Sequence, residues 1–329
     1  MTYTVLGAGV MGLAVAAELT ARGATVQLCD PHERPGPHAC SWWAGGMLAP
    51  DCESETAEEP VTRLGREAAD WWQARGVGVE RRGSLVVTPG RDRAELDRFA
   101  RRTAHHSSLD AEAIDALEPG LERRFSRALH FADEAHIDPR AALATLRDGL
   151  AAAGVPRVGM SGDGPVIDCR GLAAREALSD LRGVRGEMVV LRAPDVHLTR
   201  PIRLLHPRHP LYIVPRGDGV YMLGATQIES DSRAPATARS VMELLSTAYA
   251  LHPAFGEAAL LEIGADARPA FPDNLPRIRQ RGATTHVNGL FRHGFLLAPA
   301  MARMTADWLL DGTRPEVMDD EDHRQRRTA

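Results

Sequence analysis

Two rhythms of apolar and polar residues divide the chain. Tyr3-Thr4-Val5-Leu6 is a short apolar run that passes directly into Gly7-Ala8-Gly9-Val10-Met11-Gly12, and an alanine-rich helical stretch follows over 13–19. Residues 24–29 then alternate polar and apolar, the two-residue period of a strand, and end on Asp30. Helical spacing returns at 59–75, where Val61, Leu64, Ala68, Trp71 and Trp72 read as core positions, and at 92–102, with Leu96 and Phe99 inward. A short helix opens at 109–112 and is closed by Glu118-Pro119-Gly120. A clearer one covers 141–153, with Asp138 as its cap and Pro139 at its first position. Strand-like runs cover 81–89, 166–169, 183–191, 211–216 and 220–226, the last two joined by a Gly217-Asp218-Gly219 turn. Helices at 238–250 and about 300–310 complete the pattern, and the charged tail 318–329 is expected to fray.

The order strand, G-x-G-x-x-G, helix, strand, acid is the opening of a dinucleotide-binding βα unit. Gly7 permits the tight turn, Gly9 lets backbone approach a pyrophosphate, and Gly12 lets the helix pack closely on the strand. Val10 and Met11 fall between those glycines, where the helix N-terminus presents free N–H groups to phosphate. Asp30, about 20 residues beyond the first glycine, is placed to bind a ribose hydroxyl. The motif alone does not separate NAD from FAD. Strands over 183–226 without intervening helices point to an antiparallel sheet, hence a second domain of α+β type.

Composition narrows the classes. The chain has 329 residues, 44 % of them hydrophobic and 25 % charged, which suits two modest soluble domains. A net charge of −5 argues against nucleic acid or an anionic membrane as partner. No run approaches a membrane span, and residues 1–12 already read as strand and loop rather than a signal peptide, so a cytoplasmic location is expected. Cys29, Cys40, Cys52 and Cys169 show neither metal nor disulfide spacing. His105-His106 and the His206/His209 pair read as solvated loop histidines, and no metal is expected.

A second informative stretch is 37–50, with Cys40-Ser41-Trp42-Trp43-Ala44-Gly45-Gly46-Met47-Leu48-Ala49-Pro50. Its small residues let backbone lie flush against a flat ligand. Further on, Tyr212-Ile213-Val214-Pro215-Arg216 and Gly224-Ala225-Thr226 form the hairpin, and Arg268 stands in the apolar run 265–272. An unpaired guanidinium there is expensive, so Arg268 either binds a substrate carboxylate or is the partner of Asp266. Near the end, Phe291-Arg292-His293-Gly294-Phe295-Leu296 leads into the last helix.

These segments together resemble the D-amino-acid oxidase superfamily, and most closely the glycine oxidases of the thiamine pathway, over almost the whole chain. The resemblance implies an α/β fold with an α+β insertion: a Rossmann-like FAD-binding domain (1–78, 135–180 and 262–329) and an antiparallel-sheet substrate domain (79–134 and 181–261). It implies noncovalent FAD held by Gly7, Gly9, Val10, Met11, Gly12, Asp30, Cys40, Ser41, Gly45, Gly46, Met47, Arg292, His293, Gly294, Phe295 and Leu296. Arg268, Tyr212 and Arg292 are the substrate residues it implies. The activity it implies is oxidation of glycine to the imine, feeding thiazole formation, with dioxygen as acceptor and homo-oligomers as a further expectation. Sarcosine or D-amino-acid oxidases, a quinone-linked dehydrogenase and a flavoprotein subunit of a larger complex are the alternatives. Two departures stand out: Pro210 where glycine oxidases often carry histidine, and Gln227 where they often carry methionine. The glycine-rich segment 154–165 is shorter than in the family, trimming the sheet at the adenine end.

Overall fold

A computed structural model describes residues 1–159, 164–206 and 208–319. The tail from 320 onward and residues 160–163 of the trimmed segment therefore lie outside the described residues. The first sheet has six strands in the order Arg277–Arg281, Thr284–Asn288, Val166–Asp168, Thr2–Leu6, Thr25–Cys29 and Arg157–Val158. All its neighbours are parallel except the Arg277–Arg281/Thr284–Asn288 hairpin. At the trimmed end only the two-residue strand Arg157–Val158 extends the sheet beyond Thr25–Cys29. Helices Val10–Ala21, Pro139–Ala152 and Gly294–Asp311 cover this sheet. Val5, Leu13, Leu19, Ile167, Leu143, Leu297 and Met301 meet in one fully buried core.

The second sheet is antiparallel throughout except where Ile202–Leu204 runs parallel to Ser84–Val87. Its long strand Arg182–Arg192 pairs on one side with Val220–Gly224 and on the other with Ala259–Ala270. The pairing with Ala259–Ala270 continues to Ala270, so the chain re-enters the first sheet only at Arg277. Leu85, Val189, Ile202, Ile213 and Leu223 pack there against Leu244, Ala248 and Leu251 of helix Ala238–Leu251. A parallel Rossmann-like sheet joined to a larger antiparallel one is the expected fold class.

Local expectations change in three places, one of them the last helix, which starts at Gly294 rather than near 300. The first helix begins at Val10, inside the glycine motif, because Leu13 N–H already bonds Gly9 O at 3.0 Å. The helix expected at 59–75 is two, Glu59–Gly65 and Ala68–Gln73. The break follows Gly65, a weak helix former, and a Cβ there would stand 2.8 Å from the Leu296 side chain. Trp72 in the second piece is fully buried and its indole N–H donates to Phe295 O at 2.8 Å, fixing where the last helix starts.

Candidate active site

The glycine motif is held by its own backbone. Gly7 has φ +92°, open to glycine at little cost, and a Cβ on Gly12 would stand 1.8 Å from Gly7 O. Above Gly9 the nearest such neighbour is Ser41 Oγ at 3.5 Å, which leaves its surface open to a ligand. Asp30 Oδ2 accepts from Ala8 N–H at 2.7 Å and Oδ1 from His32 N–H at 2.8 Å, ordering the carboxylate while leaving lone pairs for a hydroxyl. Gly294 opens the last helix against Val10 (3.4 Å from a Cβ to Val10 Cγ1), so two helix N-termini converge here.

These groups line one cavity of about 1250 Å3 that runs from the motif to the second sheet. That exceeds the roughly 300–1,000 Å3 of an ordinary small-molecule cleft and suits a dinucleotide with a substrate beside it. Gly7, Gly9, Val10, Met11, Asp30, Cys40, Ser41, Gly45, Gly46, Met47, Tyr212, Arg268, Arg292, His293, Gly294, Phe295 and Leu296 all line it. Gly12 lies beneath, packed on Gly7. His136 is elsewhere: it is buried on Ala135–Ile137, and burial pushes its ring down to about 4. Asp30, His32 and His38 bring ligand atoms within 4.8 Å of one another, but the two rings stack at 3.5 Å, so their in-plane lone pairs do not converge on an ion.

Ala44 and Gly45 are held from behind by Arg216, whose Nη2 donates to Gly45 O at 2.7 Å while Nη1 donates to Ile137 O at 3.1 Å. Burial lowers Arg216 to about 10, partly countered by Asp138. In front of Gly45 lies the Tyr212 ring, since a Cβ on Gly45 would be 2.8 Å from it. Desolvation of the half-buried Tyr212 raises its pKa against the pull of Arg268, so it remains a neutral O–H donor.

Arg268 has a single hydrogen bond among the described residues, from Nη1 to Thr226 O at 3.3 Å. Its guanidinium lies across Gly186, where a Cβ would come within 2.0 Å of Nη2. Burial lowers its pKa, with Tyr212 opposing. Asp266 is not its partner: that carboxylate is taken by Arg233 at 2.7 and 2.9 Å.

Arg292 is more constrained, with Nη2 at 2.8 Å from Glu53 Oε2 and 2.6 Å from Thr56 Oγ1. Glu53 also takes a bond from Arg203 at 2.7 Å and lies 3.6 Å from His293 Nδ1. Burial alone would raise Glu53, but Arg292 and Arg203 outweigh it and hold the carboxyl well below the usual range. Burial lowers His293 to about 4, and its backbone takes the N-cap position of the last helix without a capping bond from the ring. Glu53, Arg203, Arg216 and Arg233 are absent from the sequence-derived set. Arg203 carried a signal, as a lone charge in the apolar run Ile202-Arg203-Leu204-Leu205. Glu53 sits in the acidic stretch 51–55 and reads there as solvated.

A dinucleotide cradle that opens onto a cationic pocket in an antiparallel sheet defines a nucleotide-dependent oxidoreductase. The chain belongs to the FAD dependent oxidoreductase (DAO) family, whose model matches residues 2–308. It is 57 % identical over 317 residues to a Rhizobium etli protein proposed as the thiamine biosynthesis oxidoreductase ThiO, spanning 94 % of this chain and 97 % of that one. A glycine oxidase of Pseudomonas aeruginosa is 28 % identical over 95 % of both chains. Among solved structures, a glycine oxidase of Bacillus cereus matches with a TM-score of 0.79 at 21 % identity, over 95 % of this chain and 96 % of that one. An iminodiacetate oxidase of Chelativorans matches at 0.80 and 20 % identity, over 97 % and 99 %. FAD is thus the cofactor, and the open face of Gly9 together with the glycine-lined wall at 45–46 fits it.

Proposed function

We propose that this chain oxidises glycine to the imine at noncovalently bound FAD, supplying the thiazole step of thiamine biosynthesis. The observation that carries the reading is Arg268: a half-buried guanidinium without a carboxylate partner among the described residues, facing the cavity beside the Tyr212 ring. A cation so placed is complemented by a substrate carboxylate, held by charge-assisted bonds with the Tyr212 hydroxyl as a further donor. Gly45 and Gly224 both press on the Tyr212 ring, which orients the phenol and limits the room for a substrate side chain. Bound FAD supplies the acceptor for the α-carbon hydride. The protein holds the carboxylate so that the α-carbon meets that acceptor, and no protein base is needed when the amine arrives neutral. Dioxygen is the terminal acceptor in this reading, with hydrogen peroxide as second product.

The test is the absorbance spectrum of the purified protein, followed anaerobically as glycine is added. Flavin bands that bleach with glycine support the assignment. Bands that persist with glycine and bleach with sarcosine or D-alanine would move the substrate and overturn it.

A further inference from the structure

Among the guanidinium groups that line the cavity, Arg203 and Arg292 share Glu53. Arg268 has no such partner, although Asp266 stands two residues before it on Ala259–Ala270. Side chains at that spacing leave a strand on the same face. The adjoining strand shows what this arrangement does by default. On Arg182–Arg192, Arg185 and Glu187 have the same spacing, are both buried and pair directly, with Nη2 2.8 Å and Nε 3.1 Å from Oε1.

Asp266 and Arg268 escape this fate because a third residue intervenes. Arg233 reaches in from the loop after Ile228–Glu229 and puts Nε on Asp266 Oδ1 at 2.7 Å and Nη2 on Oδ2 at 2.9 Å. Its Nη2 also donates to His38 O, across the cavity mouth, at 2.5 Å. Asp266 is only 4 % exposed, and a carboxylate buried to that degree without a cation would draw in the nearest one. Arg268, on the same face of the strand and already within the field of the Asp266 charge, is the cation at hand.

We infer that Arg233 is a positioning residue: it occupies Asp266 and so keeps Arg268 free to receive the substrate carboxylate. The inference rests on the reading of Arg268 as the carboxylate clamp. Without Arg233, the substrate must displace Asp266 from Arg268 before it binds, which weakens binding while leaving the bound complex able to react.

The experiment compares Arg233→Gln, the double variant Arg233→Gln/Asp266→Asn and Arg268→Ala at saturating FAD. Steady-state glycine kinetics are paired with acetate binding, read from the flavin absorbance perturbation. Arg233→Gln should raise KM for glycine and Kd for acetate about tenfold to a hundredfold, the scale of a contested charge-assisted hydrogen bond. Its kcat should stay within about twofold, as expected when only ground-state and transition-state binding are lost together. Removing the competing carboxylate in the double variant should bring both constants back towards wild type, an outcome that a merely structural bridge would not give. An unchanged KM in Arg233→Gln, or a double variant that stays as weak as the single one, overturns the inference. Arg268→Ala with unchanged KM and acetate Kd would instead overturn the clamp on which it rests.

Discussion

The two ends of the cavity are held by opposite means. At the nucleotide end the wall is backbone: Gly7, Gly9 and Gly12 contribute no side chains, and the tolerance is set by a Cβ that would stand 1.8 Å from Gly7 O. At the substrate end the wall is charge: Arg203, Arg268 and Glu53, all half-buried, and the more exposed Arg292 and Arg233, with Arg216 behind. Steric exclusion is short-ranged and decided within the motif itself. A buried charge interacts over a longer range, so its role depends on which of several distant residues takes each partner. The first end is therefore sensitive to single carbon atoms, the second to changes in pairing.

The largest effect is expected at the unpaired charge. Arg268→Ala should lower kcat/KM for glycine about a thousandfold, ~4 kcal/mol, as two charge-assisted hydrogen bonds are lost. FAD should stay bound in that variant, as its absorbance spectrum would show. Next comes the shared carboxylate. Glu53→Gln leaves Arg203 and Arg292 without a counter-charge and should destabilise the protein by about 3 kcal/mol, seen in denaturant titration. A loss below the level of an ordinary surface substitution would show that the cations are solvated and that charge pairing does little to hold the substrate end.

Smaller still is Gly45→Ala, whose added methyl meets the Tyr212 ring at 2.8 Å. Overpacking of this kind costs about 1–3 kcal/mol. Because the strain falls where the two ends meet, KM for glycine and Kd for FAD should rise together. The last effect is felt only as pH changes. Burial raises Glu134 to about 7 from 4.5, so the native state keeps the proton longer than the unfolded chain does. The stability this residue contributes is complete below about pH 4.5 and is lost as pH rises to about 7. Glu134→Gln stays neutral, so its melting temperature relative to wild type should climb across that window, by up to about 3 kcal/mol of differential stability. A difference that is flat with pH would place the Glu134 proton elsewhere.

Much of the nucleotide end is legible in the chain, for a physical reason. The turn, helix start and second strand of Thr2–Leu6 to Thr25–Cys29 are sequence neighbours, and glycine spacing encodes close approach directly. The exceptions were also local. The start of the helix at Val10 and the break after Gly65 depend on which carbonyl or side chain lies within a few ångströms, and spacing alone does not carry that. The segment 44–47 announced itself by its small residues, but not that Arg216 holds Gly45 O from 171 positions away.

The substrate end shows the complementary case. Sequence placed a guanidinium at Arg268 in apolar surroundings and left two fates open, a substrate or Asp266. Only the folded chain decides between them, by bringing Arg233 onto Asp266 from 33 residues away. It likewise turns Arg292 towards Glu53, 239 positions earlier in the chain, an ion pair that no local pattern encodes. By itself, the sequence determined where the backbone turns, which faces are apolar and which residue types surround the cavity, because those follow from periodicity and from the absence of side chains. The tertiary structure decided which charge meets which, because several cations compete for few buried carboxylates and only proximity in space settles the competition.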